Sequence, residues 1–341
     1  MRTKLQSIIR KSTRDENSPL NVLSFPTHER YQCNLAKTGH NFYLWQQPGI
    51  IKPWVKEYAP VPENTVLLNP SKESEQIPIN VDLDVVLSQN KFGQFDIAAQ
   101  IANQLDLPLI SIEHTLPMES WTDDQINSLY NMKGNINIFI SEYSRAMWGW
   151  GEQEADVIHH GVDTGFFTPS NDIARENRVL SVVNDWINRD WCCGYKIWEQ
   201  ITGHPNSTLP IHVIGDTPGL SKSAPSTAAL ADEYRKSKIF LNTSLISPVP
   251  TCLLEAMSSG CAVVSTQTCM IPEIVINGYN GFTSNDPQKL RSYVDMLLKD
   301  DDMAEEVGLN ARKTIVENFG LENFINQWNA AFNKSLELIN G

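Results

Sequence analysis

Short apolar runs alternate with amphipathic stretches along most of the chain. Runs rich in Val, Ile, Leu and Phe are typical of buried strands, and apolar positions three or four residues apart are typical of helices. In the first half the pattern predicts strands at 21–25, 41–45, 66–69, 84–89, 107–113, 136–141 and 155–158. It predicts helices at 29–37, 94–104, 123–130 and 142–148. Because strands that alternate with helices form parallel sheets, this half is predicted to be a doubly wound α/β domain.

The second half repeats this alternation. Its predicted strands are 179–183, 211–214, 238–242 and 261–266. Its helices are predicted to begin near Gly194, Ser226, Thr251 and Pro272, and three more follow at 286–299, 303–318 and 321–338. Residues 166–177 show little periodicity, so we place the interdomain linker there. The predicted domains are therefore 1–168 and 169–320, with 321–341 as a separate C-terminal helix.

The stretch 244–282 carries the most information about chemistry. Pro248 and Pro250 prevent a helix before residue 251. Thr251 then offers an N-cap hydroxyl, and 252–259 is predicted to be a short helix. Gly260 is predicted to end this helix, as a glycine just beyond a helix C-terminus does.

One charged residue, Glu255, lies inside this apolar helix, between Leu253-Leu254 and Ala256-Met257. A carboxylate among core residues is costly unless hydrogen-bond donors meet it, and the two vicinal hydroxyls of a ribose would do so. The start of the same helix offers backbone N–H groups that suit a phosphate. The local chemistry therefore suggests a nucleotide diphosphate. A single glutamate of this kind is more often on the exposed side of an ordinary helix, and that alternative stays open at this point.

Composition and charge narrow the class of protein. The 341 residues are enough for two domains, and 41% hydrophobic residues are ordinary for a globular chain. No apolar run approaches the roughly 20 residues of a membrane span. The six cysteines form no C-x-x-C pair, which indicates reduced thiols and a cytoplasmic protein, with no zinc site.

The net charge of −13 argues against a nucleic-acid partner, which needs a basic surface. The first fourteen residues are basic instead, with Arg2, Lys4, Arg10, Lys11 and Arg14. A weak peripheral contact with anionic lipid at the inner membrane face is one interpretation of this segment. A disordered, solvated terminus is the interpretation we favour.

Many positions of 244–282 match, in order, a glutamate followed by Ala-Met-x-x-Gly, a valine-rich strand and Pro-Glu-Ile-Val. The matching residues are Glu255, Ala256, Met257, Gly260, Val263, Val264, Pro272, Glu273, Ile274, Val275, Asn277, Gly278, Gly281 and Phe282. This stretch resembles the C-terminal signature of retaining glycosyltransferases of the GT-B architecture, those of group 1 or family 4-like type. The resemblance implies two Rossmann-like doubly wound parallel-sheet domains with an interdomain cleft. It also implies that the final helix crosses back onto the N-terminal domain.

The sequence departs from the family pattern in two places. The family has a further glutamate eight positions before Glu255, near the donor sugar, and Ser247 stands there. Cys269 and Met270 replace the paired glycines that usually precede Pro-Glu. The contact to the donor sugar is therefore expected to be altered or supplied from elsewhere.

The loops after the strands are the expected binding region, because ligands of open α/β sheets lie beyond the carboxyl ends of the strands. In the C-terminal domain, the resemblance assigns the diphosphate to Arg189 and Lys196 and the ribose to Glu255. The other expected donor-binding residues are Gly215, Pro250, Thr251, Cys252 and Leu253. For Lys196 alone, a solvated helix lysine is an equal alternative.

In the N-terminal domain, His114 ends a predicted strand, and in similar enzymes a histidine on this loop faces the reacting sugar. We assign His114 and Ser247 to the catalytic region and His28 to a cleft loop. Gly161 and Asp163 lie in 158–169, which resembles the family's Ile-x-x-Gly-Val-Asp-x-x-x-Phe-x-Pro element. For each of these residues a purely structural role remains an alternative.

The expected function is transfer of a sugar from a UDP- or GDP-sugar to a hydroxyl of a glycan, glycolipid or similar acceptor. We expect no metal and no other cofactor, since cations and helix N–H groups could stabilise the leaving diphosphate in place of a metal and His159-His160 lack further ligands nearby. The alternatives are a nucleotide-sugar epimerase of the same fold and a non-catalytic nucleotide-sugar-binding protein. Dinucleotide binding is disfavoured, because 26–30 has no Gly-x-Gly-x-x-Gly after the first strand.

Overall fold

The computed structural model describes residues 9, 13, 15, 18–47, 49, 51, 53–56, 59–69, 71–72, 76–78, 81–247 and 249–340. The basic residues assigned to the lipid contact and the helix-breaking Pro248 lie outside the described residues. Within the described part of the chain, no helix is long and apolar enough to cross a membrane.

The chain folds into two compact units. The first comprises Met1–Ile140, Arg145–Ile158 and Ile325–Gly341, and the second comprises Ser141–Ser144 and His159–Phe324. The change from one unit to the other thus falls at residue 159, ten residues before the start of the predicted second domain. The predicted linker segment 166–177 lies within the second unit, and its last residues already belong to a strand that starts at Glu176.

The first unit is built on a parallel sheet of seven strands in the order β3-β2-β1-β4-β5-β6-β7. The strands are β1 (Asn21–Phe25), β2 (Asn41–Trp45), β3 (Thr65–Leu68), β4 (Val85–Ser88), β5 (Leu109–Glu113), β6 (Ile136–Phe139) and β7 (Asp156–Val157). The central strands β1, β4 and β5 are buried along their whole length, as expected for a sheet covered on both faces. The strand order reverses between β1 and β4.

Helices α1 (Glu29–Ala36), α2 (Phe95–Leu105), α3 (Asp123–Tyr130) and α4 (Glu142–Met147) connect these strands. The final helix, α12 (Leu321–Asn340), contributes most of its length to the first unit. Trp328 is fully buried and donates its indole N–H to the hydroxyl of Tyr31 at 3.2 Å, and Phe332 packs edge-on against Phe42. Trp328 and Phe332 thus lie on an apolar face of α12 that packs against the first unit.

The second unit is built on a five-stranded parallel sheet in the order β12-β11-β10-β8-β9. Its strands are β8 (Glu176–Val182), β9 (Ile211–Ile214), β10 (Ser237–Asn242), β11 (Ala262–Ser265) and β12 (Phe282–Thr283). Its helices are α5 (Asp190–Cys193), α6 (Tyr195–Thr202), α7 (Thr227–Lys236), α8 (Thr251–Ser258), α9 (Ile271–Ile274), α10 (Pro287–Lys299) and α11 (Asp301–Asn318). The fully buried rings of Trp186 and Trp198 lie 5.0 Å apart in its core.

The predicted strands and helices agree closely with the structure, and the differences are at the shortest elements. The single-turn helix α5 and the two-residue strand β12 were not predicted. Neither is long enough to show a periodic pattern in the sequence. The predicted start of the first strand of the second half, residue 179, is three residues late. Glu176, Asn177 and Arg178 carry polar side chains that hide their strand character.

Candidate functional site

The candidate site in the second unit lies where the strand order of its sheet reverses. β8 and β10 are neighbours, while β9 lies outside β8 and β11 lies outside β10. In open parallel sheets, ligands bind beyond the carboxyl ends of the strands at such a switch point. The loops that follow β8 and β10, residues 183–189 and 243–250, therefore form the candidate binding region.

Gly215 fixes the contact between the loops after β8 and β9. Its φ is +133°, and a Cβ there would lie 1.9 Å from the carbonyl oxygen of Val183, so only glycine fits. The side-chain oxygen of Asn184 accepts a hydrogen bond from the backbone N–H of Asp216 at 2.9 Å. Gly215 thus holds two site loops in backbone contact.

The loop after β10 is held from two sides. The N–H of Leu245 donates to the carbonyl of Cys192 at 2.8 Å. The carbonyl of Ser244 accepts hydrogen bonds from the hydroxyls of Thr266 and Thr268, at 2.5 and 2.6 Å. Ser244 and Leu245 at the start of this loop are therefore fixed by α5 on one side and by the loop after β11 on the other.

Helix α8 follows this loop, and its N-terminus differs from the prediction. Pro250, with φ −76° and ψ 96°, is the N-cap residue, and Thr251 is already the first helical residue. The prediction of Thr251 as the N-cap is therefore wrong. The carbonyl of Pro250 accepts the N–H groups of Leu253 and Leu254, at 3.0 and 3.4 Å, so the helix starts without a side-chain cap.

Glu255 lies one turn into α8 and is 94% buried, with a relative exposure of 6%. The hydroxyl of Tyr234, from α7, donates to Glu255 Oε2 at 3.0 Å. Tyr234 itself is fully buried, with its ring against Phe167 and Phe240. The structure thus contradicts the alternative of an exposed helix glutamate. A buried tyrosine holds the carboxylate in a fixed orientation.

Sequence reasoning did not find Tyr234. Its place in the sequence, near the end of an amphipathic helix, is that of an ordinary core aromatic residue, and nothing in the spacing connects α7 with α8. A buried tyrosine hydroxyl needs a hydrogen-bond partner, so a tyrosine at a core position was the sign in the sequence that Tyr234 contacts a polar group.

Cys252 lies in the first turn of α8, with Cys193 nearby. Burial and, to a smaller extent, the nearby carboxylate of Glu255 together raise the pKa of the Cys252 thiol to about 12. Burial likewise raises the pKa of Cys193 to about 12, and Cys192 Sγ lies 3.6 Å from Cys193 Sγ. The thiols of Cys252 and Cys193 therefore stay protonated at neutral pH and act as small apolar groups. Cys269, at the position of a family glycine, contacts the carbonyl of Leu245 at 3.4 Å.

The two cations assigned to the diphosphate flank the short helix α5. Arg189 is the N-cap residue of α5, is exposed, and contacts the carbonyl of Asn184 at 3.5 Å. Lys196 is exposed and lies 3.4 Å from the carboxylate of Asp190. The positive charge of Arg189 is close enough to Cys193 to offset part of the increase in the thiol pKa that burial causes. Both side chains are thus on the loop side of the second unit, where they are open to solvent.

In the first unit, His28 and His114 come together. His28 precedes α1, and His114 follows β5, which lies two strands from β1. Their ring centroids are 6.2 Å apart, and the ring of Tyr31 lies edge-on to His114 at 4.5 Å. His114 is buried, with 8% exposure. The carboxyl edge of this sheet therefore holds an aromatic and imidazole cluster near its switch point.

The buried carboxylate of Glu113 joins the loops after β4 and β5. Glu113 Oε1 accepts from the N–H and the hydroxyl of Thr115, at 2.7 and 2.6 Å, and Oε2 accepts from the N–H of Lys91 at 3.0 Å. Burial raises the pKa of the Glu113 carboxyl. Burial also lowers the pKa of the Lys91 ammonium group to about 8, and the negative charge of Glu113 offsets part of this decrease. The periodicity of the sequence gives no sign that the side chain of Lys91 is buried.

The burial of Lys91 gives a stability test. The unfolded-state pKa of Lys91, about 10.5, lies above the folded value of about 8, so between these values the unfolded state binds more protons. Relative to the double variant Lys91→Met/Glu113→Gln, wild-type stability should therefore rise with pH. The rise between pH 8 and pH 10.5 should be on the order of 2 kcal/mol. Urea unfolding at four pH values measures it. A constant difference between the two proteins across this range would contradict the assignment.

The element 158–169 has structural contacts within the second unit. A Cβ on Gly161 would lie 2.7 Å from Cβ of Phe324, so this glycine permits close packing. Asp163 accepts the N–H of Phe166 on its side chain at 3.0 Å and forms a turn. Glu273, of the Pro-Glu-Ile-Val motif, accepts the N–H of Glu142 at 3.1 Å.

Among the described residues, no three His, Cys, Asp or Glu side chains are arranged to hold a metal ion.

The two parallel sheets with flanking helices define the class of fold. The chain has the GT-B architecture, in which two Rossmann-like domains each carry a doubly wound parallel sheet. The sheet of the first unit has the strand order typical of dinucleotide-type Rossmann domains, and that of the second has the flavodoxin-like order.

Comparison with known proteins agrees with this class. Residues 222–314, which lie in the second unit, match the family described as glycosyl transferases group 1. An uncharacterized glycosyltransferase of Methanocaldococcus jannaschii is 30% identical over 84 residues, which are 24% of this chain. The matching segment spans about a fifth, 21%, of the length of that relative.

Two solved structures resemble nearly the whole chain. HepE of Anabaena in complex with UDP has a TM-score of 0.74 at 14% identity, covering 93% of this chain and 100% of that one. Sucrose-phosphate synthase of Thermosynechococcus elongatus has a TM-score of 0.70 at 14% identity, covering 93% and 99%. At this level of identity the likeness shows the fold.

Proposed function

We propose that the protein is a glycosyltransferase. It moves a hexose from a nucleoside-diphosphate sugar to a hydroxyl of a carbohydrate or lipid-linked acceptor, with retention of the anomeric configuration and without a metal ion. The observation that carries the proposal is the buried carboxylate of Glu255, oriented by Tyr234 and placed one turn into α8 beside the switch point of the sheet.

Glu255 would bind the ribose of the donor. The hydroxyl of Tyr234 donates to Oε2 and orients the carboxylate. The two vicinal hydroxyls of a ribose would each donate a hydrogen bond to this carboxylate, whose oxygens accept several such bonds. A hydrogen bond to a charged group contributes about 1.5–3 kcal/mol, so this contact could anchor the nucleoside.

The diphosphate would lie against the start of α8. The first N–H groups of a helix point toward such a ligand, and the helix dipole favours its negative charge. During transfer the bond from the anomeric carbon to the phosphate oxygen breaks, so negative charge develops on the leaving diphosphate. The exposed side chains of Arg189 and Lys196 would stabilise this charge in place of a metal.

The acceptor would be held by the first unit, with His114 near the reacting sugar. Ser247, in place of a glutamate, leaves the donor sugar to be contacted by other groups of the loop after β10. UDP-sugars are the first donors to test, since HepE has been solved with UDP and, in a structure with a TM-score of 0.71, with UDP-glucose.

Product analysis after incubation with donor alone tests the reaction class. UDP-glucose, GDP-mannose and ADP-glucose are incubated with the protein, and nucleotides and sugars are separated by anion-exchange chromatography. We expect slow release of the nucleoside diphosphate and free sugar, because water replaces the absent acceptor. Epimerised donor without release would favour an epimerase, and an unchanged donor that nevertheless binds would favour a non-catalytic binding protein.

A further inference from the structure

A pocket in the first unit lies next to Lys91, whose backbone N–H donates to the buried carboxylate of Glu113. It has a volume of about 330 Å³ and lies beside the loops that follow β4 and β5, on the carboxyl side of the sheet. Its lining residues are Phe92, Trp121, Asp124, Gln125, Ser128 and Leu129. Ligand pockets range from about 300 to 1,000 Å³, so this one suits a single small ring.

Two aromatic side chains form one wall of this pocket. The ring centroids of Phe92 and Trp121 are 4.9 Å apart with an interplanar angle of 55°, so the two rings present an angled apolar surface. Phe92 is 40% exposed, which is high for a large aromatic residue beside a pocket. The C–H face of a pyranose ring is an apolar patch of matching size, and it packs well against aromatic rings.

The opposite wall is polar and comes from α3. Asp124 and Ser128 are four residues apart on this helix and therefore lie on one face, next to Gln125. The side-chain oxygen of Gln125 accepts the N–H of Thr122 at 3.0 Å in a capping box, which fixes the orientation of its amide. A carboxylate, an amide and a hydroxyl are the groups that recognise sugar hydroxyls.

The aromatic wall is held rigidly by the core of the first unit. Trp121 packs at 6.2 Å against Trp148, which is buried and donates its indole N–H to the carbonyl of Thr115 at 2.9 Å. Thr115 and the N–H of Lys91 both donate to the carboxylate of Glu113. The turn that presents Phe92 and the loop that presents Trp121 are thus tied to one carboxylate, which reduces the entropy lost on binding.

The lining chemistry distinguishes a neutral sugar from other small ligands. The pocket has no Lys or Arg among its lining residues and contains one carboxylate, so an anionic group is disfavoured. Trp45 and Trp54, which also belong to the first unit, lie elsewhere. Trp45 stacks on Phe25 at 5.8 Å, and Trp54 donates its indole N–H to the carbonyl of Ala59 at 2.9 Å.

We infer that this pocket binds one neutral sugar ring of the acceptor, stacked on Phe92 and Trp121 and hydrogen-bonded by Asp124, Gln125 and Ser128. The inference rests on the proposed function in so far as it makes the bound sugar part of an acceptor. Binding of a sugar to the pocket is a separate property, and it can be measured without any nucleotide.

Saturation-transfer NMR on the full chain tests the inference, with methyl α-D-glucopyranoside, methyl β-D-galactopyranoside and methyl N-acetyl-β-D-glucosaminide as probes. We expect at least one glycoside to receive saturation at its ring C–H protons. Its affinity should fall at least fivefold in Trp121→Ala and in Asp124→Asn. It should stay within twofold of wild type in Trp121→Phe, which keeps an aromatic ring.

Matched controls separate the pocket from the protein surface in general. Asp123→Asn removes the neighbouring carboxylate in the same first turn of α3, and Tyr279→Ala removes an exposed aromatic ring of the second unit. Both should bind the glycoside as wild type does. No saturation of any of the three glycosides in the wild type would overturn the inference, and so would equal binding in Trp121→Ala. Failure of every nucleotide sugar to bind, with glycoside binding intact, would instead count against the proposed function.

Discussion

Glu255→Ala should weaken binding of a nucleotide-sugar donor at least tenfold. The substitution removes a charged acceptor that is 94% buried and that would take two ribose hydroxyls. Tenfold corresponds to 1.4 kcal/mol, less than one strong hydrogen bond to a charged group, so it is a lower bound. Isothermal titration calorimetry with UDP-glucose measures the effect directly.

Two further variants show whether such a loss comes from the missing carboxylate. Glu255→Gln keeps the size of the side chain and an oxygen that can accept the hydrogen bond from Tyr234. The fold should therefore persist while donor binding falls. Glu306→Ala removes an exposed glutamate of α11 in the same unit and should bind as wild type. Donor affinity in Glu255→Gln within twofold of wild type would refute the ribose contact.

Gly194→Ala should strongly destabilise the second unit. Gly194 lies between α5 and α6 with φ +66°, and a Cβ there would lie 2.1 Å from the carbonyl oxygen of Thr243. The left-handed conformation alone costs roughly 1–2 kcal/mol for a residue with a side chain. The backbone clash adds to this, so we expect a loss of at least about 3 kcal/mol in the free energy of unfolding, with weakened donor binding.

Gly219→Ala is the matched control for this prediction. Gly219 has a similar φ of +82°, but a Cβ there would meet no atom within 4 Å. Its substitution should cost only about 1 kcal/mol, the conformational part of the effect. Urea unfolding of both variants gives the comparison. Equal losses would mean that the contact between Gly194 and the loop after β10 does not fix the site.

The sequence predicted the alternation of strands and helices because each buried strand is a distinct apolar run. It also predicted the region of the site, since the loops after parallel strands gather at one edge of a sheet. Glu255 was identified because a carboxylate inside an apolar helix is costly unless hydrogen-bond donors meet it. The closing role of Gly260 was predicted correctly, and its φ is +76°.

The features that the sequence did not show depend on contacts between distant segments. The hydroxyl of Tyr234 reaches Glu255 from a neighbouring helix, 21 residues away. The carboxylate of Glu113 joins two loops through Lys91, 22 residues apart. The N-cap of α8 was assigned to Thr251 from residue preference, but the backbone of Pro250 already provides the helix start.

The most direct test of the central claim is a thermal-shift comparison of the wild type and Glu255→Gln with UDP-, GDP- and ADP-sugars. A ligand that binds only the folded protein stabilises it by about 2.7 kcal/mol at a hundred times its Kd. We predict that at least one nucleotide sugar raises the Tm of the wild type by several degrees, and that Glu255→Gln loses most of this shift. An unchanged wild-type Tm with all donors, or an equal shift in both proteins, would contradict a donor site at Glu255.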